Sequence, residues 1–352
     1  MTVAPLGARR DRLLETIEMQ RAGCEVAGSP LYSRILSALA TDVMAGGPAW
    51  TLLHPYATSP VGDAVLLRLL AGVHRLVLEG DAPDLAAHYP SVGGRDGRGL
   101  ETTFLSLVEE RADLLGADLR GGVQTNEAGR SAALLAGFLA LASEKHPLRI
   151  LEVGASAGLN LLFDRFRYEQ DAWNWGPIDS ALVIRAPFYG HPPIIGPDLS
   201  IVERRGCDVD PIDPTTAIGR TRLRSFVWPD QLHRRDRLDA ALEVAGNEAP
   251  TVDRASAVDW ARDQLAEPVS GVTTVLFHTI FFQYLSPDDQ RSFLATIESA
   301  ARQADESAPL VWLRMEPGGD QAEVRLTRWP GGSTRRMARS AYHGPPVALD
   351  VQ

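Results

Sequence analysis

The run from Arg149 to Asn160, RILEVGASAGLN, constrains this chain more than any other stretch. A short apolar segment carries the acidic Glu152 near its end, meets glycines at 154 and 158, and leads into the apolar LNLLFDRF. The pattern predicts a strand, a tight turn and a helix: glycine lets the backbone approach a ligand closely, and the first helical N–H groups point at it. The same letters satisfy two motifs. Read as E-x-G-x-x-x-G, they form a cofactor loop of Glu152, Gly154, Ala155, Ser156, Gly158 and Asn160. Read as G-x-S-x-G, they form a nucleophile elbow with Ser156 raised on a strained turn. A strand-to-helix turn with glycine chosen only for sterics is the third reading.

Composition narrows the field. A chain of 352 residues with 45% hydrophobic content can bury a large core, and its length suggests two domains or one with a sizeable extension. A formal charge of −10 and a pI near 5.3 argue against a general nucleic-acid binder, which needs Lys and Arg to replace phosphate counterions. Lys145 is the only lysine among the 35 basic residues, a bias expected of a GC-rich genome. Cys24 and Cys207 fit neither a zinc pattern nor a disulfide framework, so a reduced, cytoplasmic protein is expected. No stretch is apolar for 18 residues, and MTVAPLGARRDRLL lacks a signal-peptide core, so neither membrane insertion nor secretion is expected.

Residues 1–148 read as helix, with apolar positions at three- and four-residue intervals from LLETIEMQRAGCEVA to EAGRSAALLAGFLALASEKH. The glycine-rich SVGGRDGRG at 91–99 lacks the G-K-[ST] ending of a phosphate loop and reads as a flexible connection. Residues 149–352 alternate strands (RILEV, ALVIRA, SIVERRGC, TVDRAS, TTVLFH, LVWLRM) with helices at 159–168, 230–246, 258–266 and 287–304. That order predicts an α/β fold with a mostly parallel, Rossmann-like sheet beside an all-helical N-terminal region. Two extended runs around Pro330-Gly331-Gly332 predict a closing antiparallel hairpin. An insertion at about 170–198, rich in Pro, Trp and Gly, reads as a substrate lid, with an edge extension as the alternative.

The strand–glycine turn–helix unit resembles the first motif of class I S-adenosylmethionine-dependent methyltransferases, with Ser156 in place of the middle glycine. The resemblance implies S-adenosylmethionine as cofactor, Asp208 on its ribose with Asp210 as the near alternative, and Asp259-Trp260 on its adenine, a helix N-cap and a core tryptophan being the other reading of that pair. It also implies a reacting edge at the fourth strand, where TTVLFHTIFFQYL supplies His278, Gln283 and Tyr284; His278 is the base there or, flanked by Phe277 and Ile280, a hydrogen-bonded core residue. Arg130, just before the first strand, is expected on the cofactor's carboxylate or in a structural ion pair. Asp230 reads as a helix cap, and DVDPID at 208–213 as a turn rather than a Mg²⁺ site. A serine hydrolase would need strands and oxyanion donors upstream of Ser156, and the sequence offers neither.

Nearly the whole chain also resembles a bacterial family, domain-of-unknown-function family 2332, through QTNEAGRSAALL, LEVGASAGLNLLFDRF, VERRGCDVDPIDPT, VWPDQ, VLFHTIFFQYL and WLRMEP followed by LTRWPGG. That family implies no activity. The expected function is therefore methyl transfer to a small molecule, with a non-catalytic binding or regulatory protein as the alternative and a Ser156 hydrolase as the second.

Overall fold

A computed structural model describes residues 6–59, 63–95, 97–142, 146–196 and 198–350. Lys145, Asp96 of the glycine-rich connection and Pro197 of the insertion lie outside the described residues. Helices α1 (Leu6–Val26), α2 (Pro30–Ala45), α3 (Pro48–Leu53), α4 (Val65–Glu79), α5 (Pro83–Ala86), α6 (Leu100–Glu110), α7 (Ala112–Asp118) and α8 (Arg130–Leu141) come first. They are followed by β1 (Leu148–Val153), β2 (Arg167–Gln170), β3 (Trp173–Trp175), β4 (Val183–Arg185), β5 (Phe188–Tyr189) and β6 (Ile201–Asp208). Next come α9 (Ala217–Ser225), α10 (Leu232–Asn247), β7 (Thr251–Arg254), α11 (Ala257–Gln264), β8 (Thr273–Thr279) and α12 (Pro287–Ala301). The chain closes with β9 (Leu310–Pro317), β10 (Ala322–Trp329), β11 (Ser333–Ala341) and β12 (Gly344–Leu349). Contacts divide it into two compact units, Met1–Thr125 with Ala217–Asp236 and Asn126–Thr216 with Arg237–Gln352. By that division α8 belongs with the sheet.

The helical unit is built around the apolar faces of α1, α2, α4 and α6. Ser29 caps α2 by accepting from Tyr32 N, Pro30 opens its first turn, and Gly46 ends it in the left-handed conformation. Asp230 serves the same helix end, accepting from Ser29 Oγ at 2.7 Å and Leu31 N at 3.1 Å. It is thus a cap, of α2 rather than of the helix that follows it. His74, buried in α4, faces the Ser225 carbonyl through Nδ1 and Ser91 Oγ through Nε2; burial pushes its pKa down to about 4, so it is a neutral core residue. Backbone hydrogen bonds from Gly94 N to Tyr89 O and from Arg95 N to Ala87 O hold the described part of the 91–99 connection.

The second unit is α/β, with a nine-stranded, mostly parallel mixed sheet in the order β5-β12-β11-β10-β9-β8-β1-β6-β7. Strands β7, β6, β1, β8 and β9 run parallel, and β9 to β12 form an antiparallel meander, one strand more than the expected hairpin continues into. Strand order reverses between β1 and β8, a topological switch point of the kind that opens a ligand crevice at the carboxyl edge of an α/β sheet. On one face α8 packs against β9 to β12; it is apolar almost all round, as a helix with little contact to water must be. Its Phe138 stacks on Phe163 with ring centroids 3.9 Å apart and meets Phe277 of β8 edge-on. Trp260, Ala261, Phe293 and Ile297 of α11 and α12 join another core with Leu151, Cys207 and Leu276 of the sheet.

Two expectations need correction. The helix expected at 159–168 is a short 3-10 segment, Leu159–Arg165, kinked at Leu162, after which the chain turns into β2. The insertion folds as a small sheet in the order β3-β2-β4, and its β5 pairs with β12, so it is an edge extension.

Candidate functional site

The turn after β1 holds Gly154, Ser156 and Gly158 at φ of +67°, +55° and +73°. All three alternate positions are therefore left-handed, and Ser156 adopts the conformation a middle glycine would supply. Neighbouring strands fix the turn. Ala155 N donates to Cys207 O at 3.0 Å, and Ile212 N donates to Ser156 O at 3.1 Å. Asp208, the last residue of β6, accepts from Ser156 N at 3.0 Å through one oxygen and from Asp210 N at 2.9 Å through the other. Asp208 thus stands at the strand end where the sequence placed it, and ties that end to the turn. Asp210 pairs with Arg254, and Asp213 closes a turn onto Thr215, so the acidic run is turn chemistry.

Glu152 is 1% exposed and its Oε2 has no hydrogen-bond partner. Asn160, equally buried, leaves both amide atoms without one. Burial drives the Glu152 carboxyl well above the usual carboxylate range; the Arg130 charge and the Asn160 amide work against this, and the Asp208 charge adds to it. Arg130 is itself buried, donating from Nε to Tyr342 O at 3.0 Å and from Nη1 to Thr279 O at 3.4 Å. Asn126 Oδ1 accepts from Leu159 N, so the first amide of the 3-10 segment meets a side chain. Glu127 accepts from Gly129 N and pairs with Arg237 at 3.2 Å.

Across the switch point, the chain leaves β8 through Ile280, a β-branched residue at φ +48°. Such an outlier persists only where its surroundings enforce it. The next residue, Phe281, lies directly over Gly154: a Cβ there would fall 2.3 Å from the ring. His278, fully buried on β8, faces Glu316 Oε1 through Nδ1 at 2.7 Å and accepts from Trp312 Nε1 at 3.0 Å. The same Glu316 oxygen accepts from Phe281 N and Phe282 N. Burial works to raise the Glu316 carboxyl, but these donors and the His278 ring prevail and hold it below the usual range.

Several expected roles do not fit this geometry. Both ring nitrogens of His278 are engaged, so its position is that of a core histidine rather than a base. Gln283 and Tyr284 follow in the 3-10 turn Phe282–Tyr284 and are exposed. Asp259 is exposed on the first turn of α11, where Ser256 caps its N–H and Arg262 pairs with its carboxylate. Trp260 is a core residue whose Nε1 donates to Asp253 Oδ2 at 2.7 Å. Brought together at the switch point are Arg130, Glu152, Gly154, Ala155, Ser156, Gly158, Asn160 and Asp208. Glu316 and Arg314 of β9 escaped the sequence reading, although Trp312, Arg314 and Glu316 at every second position mark one face of a strand.

Residues 15–348 match the model of a family described as an uncharacterized protein conserved in bacteria, DUF2332, and the chain belongs to that family. No curated protein and no solved structure matches it.

Proposed function

We propose that this chain is an S-adenosylmethionine-dependent methyltransferase acting on a small molecule, with the cofactor at the carboxyl ends of β1 and β6. The observation that carries the reading is the buried pair Glu152 and Asn160, with Glu152 Oε2 and both Asn160 amide atoms left without hydrogen-bond partners. Such atoms cost about 1–3 kcal/mol each unless something meets them. The amino-acid end of the cofactor offers an ammonium group to Glu152 and a carboxylate to the Asn160 amide and the Arg130 guanidinium. Asp208 is the acid for the ribose hydroxyls: it ends β6 beside the turn, held there by Ser156 N and Asp210 N. The reversal of strand order between β1 and β8 supports a ligand there. When bound, the cofactor supplies an electrophilic methyl group. The chain's share is to orient the acceptor, and orientation alone contributes roughly 7–11 kcal/mol.

A second reading, a non-catalytic binding or regulatory protein on the same core, is favoured by Phe281 lying over Gly154 and by the engaged ring of His278. The hydrolase reading draws no support, because among the described residues no strand precedes β1.

Calorimetry with S-adenosylmethionine and S-adenosylhomocysteine tests the proposal. A micromolar dissociation constant, about −8 kcal/mol, is expected, weakened roughly ten- to a hundredfold in Asp208→Ala. Folded protein that gives no heat with millimolar ligand refutes the methyltransferase reading. Binding without methyl transfer across a panel of amine, thiol and hydroxyl acceptors favours the second.

A further inference from the structure

Strand register sets Arg314 of β9 directly opposite Arg325 of β10, and Arg325 directly opposite Arg336 of β11. Opposed residues share a sheet face, and like charges so placed repel. Two of the three are neutralised. Glu323 pairs with Arg325 and Arg336, and Asp350 pairs with Arg336 as well. Arg314 forms no salt bridge among the described residues. Its Nη1 donates to Thr327 Oγ1 at 3.1 Å, and its guanidinium lies 3.8 Å over the Trp312 ring. Burial and the Arg325 charge push its pKa down to about 10, with Glu316 acting the other way. Glu316, two residues along the strand, keeps Oε1 on His278 and on two backbone amides.

A part-buried guanidinium seated over an indole, with most of its N–H fork unused, can take a carboxylate or phosphate in paired hydrogen bonds. Thr327 and Thr334, whose hydroxyls lie 2.8 Å apart, border it on β10 and β11. The half-exposed Arg325, paired with Glu323, stands directly opposite Arg314 in the strand register. We propose that this face of β9 to β11 binds a small-molecule oxyanion, a carboxylate or a phosphate group, seated on Arg314 and bordered by Arg325, Thr327 and Thr334. An anion there offsets the charge of Arg314, the member of the row that forms no salt bridge among the described residues. The site does not depend on a nucleoside cofactor at the β1 turn.

The test titrates inorganic phosphate and, separately, acetate into the full chain at constant ionic strength, following tryptophan fluorescence with calorimetry alongside. The expected result is saturation by at least one anion at about 1 mM or below, weakened at least about tenfold in Arg314→Gln. Saturation by phosphate alone assigns a phosphate-bearing ligand, by acetate alone a carboxylate, and by both a general oxyanion site. No saturable response in folded protein, or an unchanged one in folded Arg314→Gln, overturns the proposal. Should Arg314→Gln fail to fold, Thr334→Val at an exposed position replaces it. A loss of about threefold or more then supports the site, and unchanged affinity overturns it.

Discussion

Nε1 of Trp312 lies 3.0 Å from Nε2 of His278, and this one contact fixes the state of the histidine. An indole N–H only donates, so Nε2 accepts and the neutral ring carries its proton on Nδ1, facing Glu316. A proton added at Nε2 would set two donors face to face. The ring therefore joins β8 to β9 as a fixed part of the core.

His278→Ala would strip Trp312 of its acceptor and Glu316 of a donor while leaving a cavity, so a loss of about 2–4 kcal/mol is expected. Glu316→Gln keeps an oxygen for the same donors and should cost only about 1 kcal/mol. Urea denaturation of both variants checks the order. A His278→Ala protein as stable as the parent would return the ring to the list of candidate bases.

Glu152 gives a pH signature. Its folded-state pKa lies above the unfolded value of 4.5, so the native state holds the proton longer. Its contribution is fully present below about pH 4.5 and declines as pH rises toward the folded pKa, by up to about 1.4 kcal/mol per pH unit. Glu152→Gln lacks that decline. Thermal melts of both proteins between pH 4 and 8 should therefore diverge in favour of the variant as pH rises, and parallel curves would refute the assignment.

The left-handed Ser156 predicts opposite outcomes for two substitutions. Ser156→Gly removes the side chain that makes φ +55° unfavourable and should leave stability within about 1 kcal/mol of the parent. Ser156→Val puts a β-branched residue there and should cost about 1–3 kcal/mol. Denaturation midpoints decide the matter; equal loss in both variants would mean that the hydroxyl, not the backbone, determines the residue.

The sequence made the parallel half of the sheet legible because β1, β8 and β9 are short, largely apolar runs bounded by turns, and β6 and β7 follow them in the alternation of strand and helix. The expected runs became β1, β6, β7, β8 and β9, and ALVIRA became β4. It hid β12, whose GPPVAL carries two prolines that argue against a strand. They are accommodated because the register between β11 and β12 shifts next to Gly344, where a bulge frees the backbone from pairing. It also hid β2, because RYEQ follows directly on LNLLFDRF, whose apolar spacing reads as a helix running into it. At the site, Glu152 and Asp208 were legible as acids at strand ends. The tie between His278 and Glu316 was not, since it joins residues on different strands through a register that only the folded sheet reveals.

The pairing of β5 with β12 couples two moments of synthesis. Phe188 and Val347 are partners in the sheet yet about 160 residues apart in the chain, and contacts of such separation form late and slow folding. While the ribosome is still making the meander, β5 has no strand to join and the outer edge of β11 stands open. An open edge is a template for pairing with another chain. A polypeptide that stops before Gly344 thus leaves the β11 edge unpaired, and β12 is the segment that covers it.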